Sequence, residues 1–87
     1  MSKTHEFVMI TDPAHGWMAT NMDMLRKYGV EGLISSHSYR DGNDVYLEED
    51  CDARILLNAI EAHGDIAAFH TDKHTNDPSW IRDLESY

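Results

Sequence analysis

Four carboxylates crowd the chain's only cysteine: in VYLEEDCDA, residues 45–53, Glu48, Glu49, Asp50 and Asp52 flank Cys51. A cysteine becomes nucleophilic when positive charge or a helix N-terminus stabilises its thiolate. Here the neighbouring acids oppose the ionised sulfur and fill the helix-dipole role themselves. The pattern fits the opening of a helix better than a poised nucleophile. Asp50 is expected to cap that helix, Asp52 to sit in its first turn, and Cys51 to be half-buried there. Capping accounts for two acids, whereas Asp41, Asp44, Glu48, Glu49, Asp50 and Asp52 make six between 41 and 52, with no Lys or Arg among them. With Tyr39 and Tyr46, and Trp17 or Trp80, as aromatic anchors, these six define a candidate partner-binding surface: an outward-facing negative rim rather than a hollow that moves protons.

The histidines are His5, His15, His37, His63, His70 and His74. In the run HTDKH, strand alternation puts His70, Asp72 and His74 on one face, with the two histidines about 13 Å apart. One zinc ion cannot reach both without a bend. An alternative metal or enzyme site would therefore draw on His37, His70, Asp72 and His74 together, with Cys51 nearby. Histidine is also the residue type that titrates near neutrality, so protonation would reduce the negative charge. Glu48 and Glu49 fail as a paired acid and base, because strand neighbours point to opposite sides. No phosphate-binding glycine loop and no G-x-S-x-G elbow is present. A Ser-His-Asp triad assembled from Ser35, Ser36, Ser38 and His37 is no more than a chance combination. No catalytic residue and no cofactor is assigned.

Sixteen Asp and Glu against seven Lys and Arg give a formal charge of -9 over 87 residues. Direct nucleic-acid binding needs Lys and Arg to displace counterions from phosphates, and an anionic membrane repels such a chain. Basic protein surfaces attract it. Carboxylates standing where phosphates would, in mimicry of nucleic acid, are a special case. A lone cysteine gives no internal disulfide, no apolar stretch approaches about 20 residues, and MSKTHEFVMITD lacks the apolar run of a secretory signal. The cytoplasm is the expected compartment.

The elements that would position these residues follow from patterning. EFVMIT (6–11) reads as a strand, Asp12-Pro13 as a turn, and Trp17 to Ala19 as a short returning strand. Thr20 opens T-N-M-D, a capping-box pattern for a helix over roughly 21–28, with Met18, Met22, Leu25, Met24 and Tyr28 on its broad apolar face. VEGLI connects to two strands, SSHSYR and DVYLEE, around the Asp41-Gly42-Asn43 hairpin turn. A second helix runs from about Cys51 to His63, burying Ala53, Leu56, Leu57 and Ile60 and exposing Arg54, Asn58 and Glu61. DIAAFHTDKH is a further strand. A turn of helix around Ser79 to Leu84 lies in a tail, 75–87, docked on a single domain, 1–87. The expected class is α+β: an antiparallel sheet of four or five strands with two helices on one face, in the order β-β-α-β-β-α-β. Without the Trp17 strand the order becomes β-α-β-β-α-β, a ferredoxin-like arrangement.

HGW (15–17), ISSHSY (34–39), VYLEEDCDA (45–53) and HTNDPSWIRDLESY (74–87) resemble segments of a group of small uncharacterised proteins of bacteria, phages and plasmids. That group has no established activity. The resemblance implies a small accessory protein, phage-borne, that binds and modulates or inhibits a host protein. It also marks the tail as a second candidate site: His74, Asn76, Ser79, Trp80, Arg82 and Tyr87, with Arg82 paired to an acid of 48–52. A third reading is a homo-oligomerisation module joined through an exposed sheet edge.

Overall fold

Along residues 7–10 apolar side chains point alternately to both sides of one strand, and the computed structural model shows both sides covered. The structure describes residues 3–13, 15–74 and 80–87, with 71–74, 80 and 82 described by their backbone alone. The elements are β1 (Thr4–Thr11), β2 (Gly16–Asn21), α1 (Met22–Lys27), β3 (Tyr39–Asp41), β4 (Asp44–Glu48), α2 (Asp52–Ala62), β5 (Ile66–His74) and β6 (Glu85–Ser86). Short 3-10 turns occupy Glu31–Leu33 and Trp80–Asp83. The class is α+β, as the patterning implies.

Among the described residues the sheet has six strands, ordered β5-β1-β2-β4-β3-β6. This corrects the four or five antiparallel strands expected, in two ways. The β1–β5 pair is parallel, because β4 runs in the direction of β1 and α2 carries the chain back before β5 begins. The sixth strand is the tail's β6, which pairs with β3. β2 is an interior strand between β1 and β4, so the ferredoxin-like alternative falls.

The β3–β4 hairpin closes through Gly42 and Asn43, with Asp41 opposite Asp44. Gly42 has φ 61, the left-handed conformation that a two-residue turn asks of its first central residue. α1 is capped one residue later than T-N-M-D suggests: Asn21 Oδ1 accepts from the Met24 N–H at 2.8 Å. Thr20 stays in β2 opposite Val45. α2 likewise starts at Asp52, with Cys51 at the N-cap position and no side-chain cap bond. Asp50 is therefore not the cap, and Cys51 is exposed rather than half-buried.

Both helices pack on one face, where Met22, Leu25, Ala53, Leu56 and Ile60 meet Phe7, Met18, Val45 and Leu47. Full burial of such side chains is worth roughly 1.5–3 kcal/mol each. The opposite face has its own smaller core of Ile10, Trp17 and Ile81, flanked by Val8, Ala19, Tyr39 and Tyr46. Ile81 is the tail's peg, fully buried. Tyr87 completes the docking: its N–H donates to Ser38 O at 2.8 Å and its hydroxyl to Glu31 O at 2.6 Å. Residues 75–79 lie outside the described residues. No helix among the described residues is long and apolar enough to cross a membrane.

Ile81→Ala is expected to lower the unfolding free energy by about 2–5 kcal/mol, read by urea denaturation. Amide exchange in β6 should accelerate more than in α2, because the peg holds the tail and not the helices.

Candidate functional site

Three loops meet at the end of the sheet where β2 begins and β4 ends, and each is fixed by its own chemistry. In the β1–β2 turn, buried Asp12 accepts the His15 N–H on Oδ1 at 2.8 Å, and its N–H donates to His15 O at 2.9 Å. That reciprocal pair sets the position of His15. Gly16 follows, and a side chain there would collide with the Glu49 carboxylate. Glu49 N–H donates back to Gly16 O at 3.0 Å, clasping the turn to the β4–α2 connection. In that connection the Glu48 carboxylate accepts the Cys51 N–H at 3.0 Å.

The third loop, 34–38, is held by Asp52. Its side chain is 1% exposed and accepts from Ser35 N–H at 3.1 and 3.2 Å, Ser35 Oγ at 2.8 Å and Ser38 Oγ at 2.5 Å. Ser38 Oγ in turn accepts the Glu48 N–H at 3.0 Å. A buried carboxylate is tolerable only with such donors around it. Asp52 therefore leaves the expected partner-binding surface: it is an internal strut, not a surface charge.

These loops enclose an open cleft of about 400 Å³ lined by His15, Trp17, Ser36, His37, Tyr39, Glu48, Asp50 and Cys51. Trp17 is buried beneath it, its ring 6.4 Å from Tyr39 at 67° and 6.0 Å from His15. Among the described residues the lining has two carboxylates and neither Lys nor Arg. Asp50 is exposed in this lining and Glu48 half-buried, while the exposed Glu49 borders a separate groove with Met9, Met18, Ala53, Leu57 and Phe69. Such a cleft can hold a cationic group between acids and aromatic rings.

The expected single rim of six acids is not formed. β4 is an interior strand, and Asp44 stands about 13 Å from Glu48 along it. Asp41 and Asp44 instead share the hairpin end with Asp23, whose Oδ2 is 3.5 Å from Asn43 Nδ2. The acids thus form two patches at opposite ends of the sheet, and the one at Glu48–Asp50 opens onto a hollow that includes His15 and His37. Tyr39 borders this cleft. Tyr46 lies against the smaller core, its hydroxyl pKa raised by burial and then by Asp44 and Asp41.

The alternative metal set is dispersed. His37 lies just before β3, four strand spacings from β5, about 19 Å, and His70 Nε2 faces Glu6 Oε1 at 3.4 Å. Side chains of Asp72 and His74 lie outside the described residues. Among the described residues no three of His, Cys, Asp and Glu stand close enough to hold a metal ion. Of the tail set, Asn76 and Ser79, and the side chains of His74, Trp80 and Arg82 with the expected Arg82 ion pair, also lie outside the description. Tyr87 serves docking, its hydroxyl pKa raised chiefly by burial.

Trp17, one of the expected aromatic anchors, joins the cleft, whereas His15 and Ser36 join it without having been assigned to a binding surface, and Cys51 was expected only beside the alternative metal or enzyme site. Their shared signal was proximity to Gly16 and to the Asp52–serine pairs, which only the fold reveals. A second polar cluster was also missed. The Tyr28 hydroxyl donates to Asp65 Oδ2 at 2.7 Å and lies 2.7 Å from His5 Nε2. A hydroxyl has one proton, so His5 is left to donate its Nε2–H. This clamp ties α1 to the starts of β1 and β5.

No family model matches the chain, and no curated protein or solved structure matches it.

Asp52→Asn is expected to cost about 2–3 kcal/mol, measured by urea denaturation, because an amide nitrogen cannot accept from the serines. The Tyr28 clamp gives a two-sided pH dependence. The Asp65 carboxyl is held below its ordinary 3.8, first by the Tyr28 hydroxyl and then by the Lys3 N–H. Its contribution is present above that ordinary value and is lost as pH falls through the lowered one. Tyr28 is raised from 10.0 to about 12 by burial, then by Asp65. Its contribution is complete below pH 10.0 and is lost as pH rises toward about 12. Tyr28→Phe should flatten both limbs of a thermal-stability profile against pH.

Proposed function

We propose that this chain is a small acidic accessory protein that acts by contact and not by catalysis. It binds, and so modulates or inhibits, a host protein with a basic surface in the cytoplasm, and a phage-borne origin is in keeping with that role. The working end is the cleft between Glu48, Asp50, Trp17 and Tyr39. The observation that carries this reading is the composition of that hollow: carboxylates and aromatic rings, with no Lys or Arg among the described residues of its lining, on loops braced by Asp52. An exposed cation of the partner, an Arg or Lys side chain, satisfies both the charge and the rings. The segments 15–17, 34–39 and 45–53, quoted above for the resemblance, all contribute to the cleft. Mimicry of nucleic acid finds less support, since the carboxylates divide between two ends instead of forming an array.

A second reading is favoured by one observation, the gathering of His15, His37, Glu48, Asp50 and Cys51 around one cleft. On that reading the hollow binds a metal ion or serves acid-base chemistry. It has less support because no three of these groups converge and the cleft is open to water.

The test is a titration with an octa-arginine peptide, backed by pull-downs from host lysate at two ionic strengths. The triple variant Glu48→Gln, Glu49→Gln, Asp50→Asn should bind about ten-fold more weakly, near 1.4 kcal/mol. The Asp41→Asn, Asp44→Asn pair should bind nearly as wild type. Equal loss in both variants would mean that net charge alone attracts the peptide and that the cleft has no special part. Stoichiometric zinc after purification without a tag would favour the second reading.

A further inference from the structure

The two edges of the sheet are finished differently. At one, the tail lays β6 along β3, pairing Tyr39 with Ser86 and Arg40 with Glu85. At the other, β5 pairs with β1 alone among the described strands. Its outer row of N–H and C=O groups is a template for another strand.

β5 keeps register with β1 from Ile66 to Thr71, after which Asp72 is passed over and Lys73 pairs with Ile10. The regular rim is therefore Ile66–Thr71, about 20 Å long. The same six residues carry two of the large apolar side chains left in solvent, Ile66 at 52% and Phe69 at 48% exposure. Phe69 stands on the helical face with its ring 6.3 Å from Phe7. With Leu57 of α2 it borders two adjoining open grooves of about 260 and 350 Å³.

We propose that this rim is a homodimer interface. Two copies pair their Ile66–Thr71 segments antiparallel about a two-fold axis, and Phe69 of each enters the Leu57–Phe69 groove of the other. Charge selects a second copy. Chains of net charge -9 repel at their acidic ends, whereas IAAFHT contains no Asp, Glu, Lys or Arg and brings no like charges face to face. The groove walls add Arg54 beside Glu49, Glu61 and Asp65, and a two-fold axis offers the Arg54 of each copy to the acids of the other. A basic partner finds no carboxylate on the six rim residues to attract it. Antiparallel self-pairing uses the same patch on both chains, so the assembly closes at two.

Sedimentation velocity across a wide concentration range, at low and high salt, tests this directly. The expected result is a mass rising from one chain to two, with association strengthened by salt as repulsion between the copies is screened. Cation binding at the cleft weakens with salt, so the two proposals fail separately. Amide exchange at 66–71 should slow as the dimer forms. Phe69→Asp should weaken dimerisation about ten-fold or more with α2 protection unchanged, and Ile66→Glu, at an exposed position, repeats the test without touching the core. A one-chain mass at every concentration overturns the proposal. So does a dimer that both variants leave intact.

Discussion

One buried carboxylate organises the cleft end of this molecule. Asp52 begins α2, yet its oxygens turn away from solvent into a loop that lies fourteen and seventeen positions earlier in the chain. Removing a carboxylate from water is unfavourable by several kcal/mol, and hydrogen bonds from well-placed donors offset that. The offset exists only when Ser35, Ser38 and the start of α2 are all in place, so the three segments form together or not at all. Ser38 extends the chain of bonds to the end of β4, and its carbonyl receives the terminal residue, Tyr87. A polar knot of four segments thus sits beneath the cleft, where an apolar core alone would fix neither the loop's path nor the facing of its side chains.

Local chemistry made much of the architecture legible. The alternation of Val45 and Leu47 against Tyr46 and Glu48, the Asp-Gly-Asn turn and the stripe of Ala53, Leu56 and Ile60 are short-range patterns with one good structural solution. The errors fall where the deciding partner is far away in sequence. Asp50 and Asp52 look interchangeable as helix-start acids, and only the serines of a distant loop distinguish the exposed one from the buried one. Thr20 looks like a cap, but strand pairing with Val45 extends β2 through it and passes the role to Asn21. The Thr20 hydroxyl is left buried among the described residues without a hydrogen-bond partner, a local loss outweighed by the pairing. Neither the parallel seam of β1 with β5 nor the two-residue β6 leaves a local mark.

The same distinction governs the candidate site. A run of acids in sequence suggested one rim, but a strand is a spacer as well as a ladder. Placing β4 in the middle of the sheet sends Asp41 and Asp44 to one end and Glu48 to Asp50 to the other. Each patch then repels its own members over short distances rather than summing into one long field. Aromatic residues make the ends unequal. Trp17 and Tyr39 lie together at the cleft end because β2 and β3 both flank β4, while the hairpin end has Arg40 and Arg26 nearby to temper its acids. Charge of one sign, rings and a hollow coincide at the cleft alone among the described regions.

The two edges show a comparable inequality, and it bears on what kind of protein this is. An isolated strand edge invites unwanted pairing, and proteins blunt it with a short guard strand, a bulge or charge. Here the tail supplies a guard at β3, where Ile81 and Tyr87 anchor it, although β3 is only three residues long. The nine-residue β5 receives no such guard among the described strands. Its bulge at Asp72 interrupts the rim only past Thr71, leaving the uncharged stretch with Phe69 open. A tail that guards the short edge while no described strand covers the long one makes sense if the long edge has a use. On the two proposals made above, the chain's acidity has two effects at once: it draws basic molecules to the cleft and keeps like copies apart except where the charge is absent.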